Sequence, residues 1–124
     1  MKQILLIVPL ALVLAACGGG SKKVATTAAP ALRTIQVSEK EYSITPSSIS
    51  LPQPGSYAFQ VTNKGKITHA FEVKGNGIEE KTADIQPGAS TTLTVNLSKS
   101  GSYDAFCPID GHRSKGMAAK LTIG

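Results

Sequence analysis

The sequence predicts an all-β fold, a β-sandwich of seven to eight short strands, for the greater part of its 124 residues. Three observations carry this. From Arg33 onward apolar and polar residues alternate at period two, and no stretch holds a 3.6-residue apolar period. Turn-forming clusters such as Pro52-Gln53-Pro54-Gly55 cut the chain at short intervals. The segments between them are short and numerous, the pattern of two packed sheets.

Taken in order, Ile35 and Val37 share one face of a first strand, and Tyr42 and Ile44 share one face of the next. Parity changes between these pairs, which predicts a bulge or break near Ser38–Glu41. Ile49 and Leu51 follow. Tyr57, Phe59 and Val61 alternate up to a turn at Asn63-Lys64-Gly65. Ile67, His69, Phe71 and Val73 read as the inward face of a strand. Lys74 to Ser90 is looser, broken by Asn76-Gly77 and Pro87-Gly88. Leu93, Val95 and Leu97 form a clear strand, and Ser98–Gly101 turns the chain. The last two inward rows are Tyr103, Ala105, Cys107 and Met117, Ala119, Leu121, Ile123.

The beginning of the chain is of another kind. Met1-Lys2-Gln3 is a positive start, and Ile4 to Ala16 is almost wholly apolar but shorter than the roughly 20 residues of a membrane-spanning helix. It ends in Leu14-Ala15-Ala16-Cys17, which resembles a bacterial lipobox. That resemblance implies a lipoprotein signal peptide over residues 1–16 and lipid on Cys17. Residues 17–32, rich in Gly, Ala and Thr, read as a flexible tether with a mean reach of about 20 Å. Residues 33–124 are then one folded domain, expected to be a monomer exported and anchored to a bacterial membrane, in the periplasm or on the outer cell surface.

Charge excludes one class of function. The formal net charge is +5, but the domain from Arg33 holds ten Lys/Arg against eight Asp/Glu and carries only +2. No basic run interleaves with aromatics, so nucleic acid is not an expected partner.

The chemistry lies near the end, in Phe106-Cys107-Pro108-Ile109-Asp110-Gly111-His112-Arg113-Ser114-Lys115-Gly116-Met117. A thiolate, an imidazole and a thioether at C-x4-H-x4-M spacing are donors of a mononuclear copper electron-transfer site, which needs a second histidine. His69 is the only other histidine in the chain. With one cysteine assigned to lipid, Cys107 stands alone outside the cytoplasm, where a leftover thiol is reactive, a cross-link or a ligand. By strand parity His69, Cys107 and Met117 point inward, whereas His112 sits mid-loop with its outer edge toward solvent. Zinc could occupy the same cage, but structural zinc sites use Cys and His without Met.

These residues, with Glu41-Tyr42-Ser43-Ile44-Thr45-Pro46, Val61-Thr62-Asn63-Lys64-Gly65 and Tyr103-Asp104-Ala105-Phe106-Cys107, make the region from Thr34 to Gly124 resemble a cupredoxin, a type 1 blue copper protein. The ligand spacing is most similar to that of the rusticyanins and auracyanins. The resemblance implies a Greek-key topology, one Cu(I)/Cu(II) ion, His69, Cys107 and His112 as equatorial ligands, and Met117 as axial ligand. It also marks a departure. Many cupredoxins follow the first ligand histidine with Asn or Ser, whereas this chain has Ala70, which predicts a less firmly tied surround for the copper.

Four protein ligands leave no open position for substrate, and no histidine remains for a second copper, so the chain is expected to carry electrons and not to be an enzyme. Its partners would be redox proteins of a respiratory or photosynthetic chain. They would dock at Pro108, Ile109 and His112, with Arg113 and Lys115 as a basic rim that either steers an acidic patch or only solvates the loop. A copper-delivery or copper-storage lipoprotein and a cupredoxin-like interaction module are the alternatives.

Overall fold

The computed structural model describes residues 31–124. The expected signal segment, the lipidated Cys17 and all but the last two residues of the tether lie outside the described residues.

Nine strands form two sheets: β1 (Arg33–Lys40), β2 (Ser43–Thr45), β3 (Ser48–Leu51), β4 (Gly55–Asn63), β5 (Glu72–Gly75), β6 (Ile78–Lys81), β7 (Ser90–Leu97), β8 (Gly101–Phe106) and β9 (Ala118–Ile123). One sheet has the order β2-β1-β4-β7, the other β3-β9-β8-β5-β6. The pairs β1–β4 and β3–β9 are parallel, and the rest are antiparallel. The chain passes between sheets after β2, β3, β4, β6 and β7, so the two layers are laced together along its length. The fold is the expected β-sandwich.

Its core follows from alternation. On β1 and β4 the register pairs Ile35 with Phe59 and Val37 with Val61, all of them buried. The facing sheet supplies Val73, Tyr103, Ala105, Leu121 and Ile123. Phe59 meets Phe71 with ring centroids 5.5 Å apart. Each such fully buried ring contributes roughly 2–3 kcal/mol by leaving water. One step further along the same inward row the register pairs Glu39 with Asn63, and both are fully buried. The row thus turns polar at one end of the sandwich.

The bulge or break expected near Ser38–Glu41 is a break, made by a hairpin: β1 runs to Lys40 and β2 returns antiparallel from Ser43. Two other local expectations need correction. The looser region contains β6, an edge strand of sequence Ile78-Glu79-Glu80-Lys81 with no fully buried residue, so it shows no apolar period. Residues 67–73 are not one strand. β5 begins at Glu72, His69 makes an isolated bridge to Ile85, and Ile67 is 40% exposed. Ala70 and Glu72 are buried alongside His69, Phe71 and Val73. Both faces are covered here, and period two loses its meaning.

Candidate metal centre

Three backbone systems hold the candidate ligands. His69 is fixed by reciprocal bonds with Ile85: its N–H donates to Ile85 O at 3.1 Å, and Ile85 N–H donates to His69 O at 2.7 Å. Asn63 supports both sides of this bridge. Its Nδ2 donates to Ile67 O and Ile85 O, each at 2.8 Å, and its Oδ1 accepts from Gly65 N–H at 2.8 Å. A buried amide so fully bonded avoids the cost of stranded polar groups.

Cys107 follows directly on β8, and Met117 directly precedes β9. The loop between them closes where Cys107 N–H donates to Met117 O at 3.1 Å. Inside it, His112 N–H donates to Ile109 O at 3.0 Å, and Met117 N–H donates to His112 O at 3.2 Å. Gly111, at φ +76°, makes the left-handed turn that lets four residues bring His112 back toward Cys107. Gly116 is small for a second reason: a Cβ there would lie 2.9 Å from Tyr42 O.

These constraints bring together the three donors expected to be equatorial. His69 Nδ1 and His112 Nδ1 are 3.3 Å apart, and Cys107 Sγ is 3.9 Å from the first and 3.6 Å from the second. A point equidistant from these atoms lies about 2.1 Å from each, a metal–nitrogen or short metal–thiolate distance. His69 and Cys107 are fully buried, and Met117, also fully buried, belongs to the same core cluster. Burial pushes the Cys107 thiol up, while the backbone N–H groups of Ala70 and Ile109 favour the thiolate. Ala70 therefore reaches the sulfur through its backbone despite its missing polar side chain. Burial, and then the neighbouring His69, lowers His112, which favours the neutral imidazole that a metal requires.

His112 differs from expectation in its surroundings. It is only 7% exposed, because the Tyr42 ring packs edge-on against it at 5.4 Å between centroids. Lys115 lies over the other part of this cover, with Nζ 4.6 Å from the Tyr42 ring centroid. Beside the loop is a cleft of about 600 Å³ lined by Pro108, Ile109, Asp110, Gly111, Arg113 and Ser114. Arg113 is held by Asp104 at 3.2 Å and lies 4.2 Å above the Phe106 ring, so it is not a free charge.

Sequence reasoning left two residues of the site without a role. Tyr42 is one. The other is Glu41, whose Oε1 accepts from His69 Nε2–H at 3.1 Å. The same oxygen accepts from Lys66 N–H at 2.8 Å and Ile67 N–H at 2.9 Å. The Ile67 bond leads the causes that hold this carboxyl down at about 2. The available signal was their place at the head of the Glu41–Pro46 segment that carries the resemblance, but a charged residue at a break between strands reads as a solvated one.

Chemically, two imidazole nitrogens and a thiol sulfur converge in a dry site beside a thioether residue. This donor set and the fold point to a single copper ion. The family profile described as a cupredoxin-like domain matches residues 6–122. No match was found among curated proteins. Among solved structures, auracyanin B is similar at 18% identity and TM-score 0.69, over 79% of this chain and 93% of that one. Dithionite-reduced auracyanin from the photosynthetic bacterium Roseiflexus castenholzii is similar at 18% identity and TM-score 0.65, over 76% and 98%. A copper-containing nitrite reductase from Thermus scotoductus shares the fold at 13% identity and TM-score 0.61; the match covers 73% of this chain but only 27% of that enzyme.

Proposed function

Because the chain belongs to the cupredoxin-like family, we propose that it carries single electrons between redox proteins through one copper ion held by His69, Cys107, His112 and Met117. The observation that supports this best is the triangle of His69 Nδ1, His112 Nδ1 and Cys107 Sγ, with sides of 3.3, 3.6 and 3.9 Å. Copper bound there would supply one-electron exchange between its two oxidation states.

The protein's own part is to keep the donors still and dry. The Ile85 bridge holds the His69 backbone, the Cys107–Met117 pairing closes the loop, and Tyr42 shields His112. Donors that need not move between oxidation states favour rapid exchange. With four protein ligands the site offers no place for a substrate, which favours a carrier over an enzyme. Docking would centre on the cleft at Pro108 and Ile109, close to His112 in the same loop, with Lys115 as the freer basic group of the rim. Lipid on Cys17 would keep the domain at a bacterial membrane, in the periplasm or on the outer cell surface.

The experiment is to add Cu(II) to the purified domain and record visible absorption, electron spin resonance and voltammetry. The expected result is an intense thiolate-to-copper band with reversible one-electron behaviour, both lost in Cys107→Ser. Tight Cu(I) binding without that band would instead indicate copper delivery. A band that survived Cys107→Ser would overturn the ligand assignment.

A further inference from the structure

The carboxylate of Glu41 is built into its position from two directions. Its Oε1 takes three N–H groups, from Lys66, Ile67 and His69 Nε2. It also fills the space that a side chain at Gly65 would need. A Cβ on Gly65 would overlap Oε1 and lie 2.8 Å from the carboxylate carbon. Gly65 has no positive φ among the described glycines, so this crowding, and not backbone conformation, calls for a glycine. The group belongs to the β1–β2 hairpin of one sheet, whereas His69 lies just before β5 of the other and bridges to Ile85, between β6 and β7. Only 25% of the Glu41 side chain is exposed and His69 is fully buried, so water competes poorly for the bond between them.

We propose that Glu41 is a positioning residue for the metal centre: its carboxylate fixes the His69 tautomer and ring orientation and makes that imidazole a stronger donor. A neutral imidazole carries one N–H. With that proton held on Nε2 by the carboxylate, Nδ1 is a bare lone pair, and Nδ1 is the atom that faces Cys107 and His112. A negative acceptor behind a ligating ring also favours the more positive oxidation state of a bound ion. The second effect rests on the copper reading of the site; the first does not.

The test therefore has a metal-free arm and a copper arm. In the metal-free domain, nitrogen NMR of the His69 ring should show the Nε2–H tautomer essentially alone. Glu41→Ala should populate the Nδ1–H tautomer, and so should Gly65→Ala, which displaces the carboxylate without removing it. In the copper-loaded domain, Glu41→Gln keeps an oxygen for the three donors but loses the charge. Its potential should rise while the thiolate-to-copper band stays. A His69 tautomer unchanged in both Glu41→Ala and Gly65→Ala, in domains still folded by circular dichroism, overturns the positioning role. An unchanged potential in Glu41→Gln overturns the electronic one. Failure of the native domain to show a thiolate-to-copper band would count against the copper reading and leave the tautomer result standing.

Discussion

The ring of Tyr42 stands edge-on to the imidazole of His112, with centroids 5.4 Å apart and planes inclined at 69°. Tyr42 is itself 37% exposed, so it forms the outer wall of the site in place of His112. Such a contact is worth about 1 kcal/mol, and its removal opens the imidazole to water. Tyr42→Ala should speed copper loss to an external chelator several-fold, and Tyr42→Phe should not. Equal release rates in the native and Ala proteins would show that Tyr42 does not guard the site.

Met117 should be separable from the other three donors. Leucine matches its volume, so Met117→Leu should cost less than about 1.5 kcal/mol in stability. The thioether of such a site is its weak axial donor. The thiolate-to-copper band should survive in this variant. The potential should rise, because a donor that favours the oxidised ion has gone. Loss of the band would mean that Met117 is needed to assemble the site and does more than tune it.

Asn63 holds the His69 segment from beneath. Asn63→Ala strips three hydrogen bonds and leaves the Ile67 carbonyl without its donor, while the Ile85 carbonyl keeps the His69 N–H. Losing three bonds from one buried amide should destabilise the metal-free domain by about 3 kcal/mol in urea unfolding. Copper affinity should fall with it, because the reciprocal bridge between His69 and Ile85 loses its support. A loss below about 0.5 kcal/mol would mean that water replaces the amide.

Glu39 makes stability depend on pH. It is fully buried, neither carboxylate oxygen has a hydrogen-bond partner, and burial pushes its carboxyl from 4.5 up to about 8. Between these values the unfolded chain has released a proton that the native domain still holds. Stability should therefore fall as pH rises through this window, by up to about 5 kcal/mol in all, with no contribution below it and the full loss above. Glu39→Gln should remove that fall and leave the smaller gain with rising pH that the lowered His112 imidazole contributes. A Glu39→Gln protein with the same pH dependence as the native one would mean that Glu39 is ionised and paired in solution.

Arg113 and Lys115 offer a kinetic test of docking. Exposed charges act over about 8 Å at physiological ionic strength. With an acidic partner the native electron-transfer rate should fall as salt is added, and reversal of both charges should invert that dependence. Lys115→Glu should account for most of the change, since Arg113 is already held by Asp104. An unaltered salt dependence in the double variant would leave the rim with no steering role.

The strands that were plain in the sequence are those with one face in the core and one in water. In β9, Ala119, Leu121 and Ile123 are buried while Ala118, Lys120 and Thr122 are exposed, and alternation reads this directly. β6 escaped notice because an edge strand buries little and keeps its charges. The His69 segment was misread in detail for the opposite reason: both of its faces are covered, so its inward direction is set by neighbours and not by period.

The sequence by itself determined the all-β class and the number and type of available donors, because those depend on composition and on spacing along one chain. Two histidines, one cysteine beyond Cys17 and one methionine beyond Met1 leave few combinations, and C-x4-H-x4-M places three of the four donors in one short loop. Only the tertiary structure decided what surrounds them. Glu41 lies 28 residues from His69, and Tyr42 lies 70 residues from His112, yet each pair touches. A hydrogen bond or ring contact acts over a few ångströms, and which residues come that close is settled by the packing of one sheet on the other.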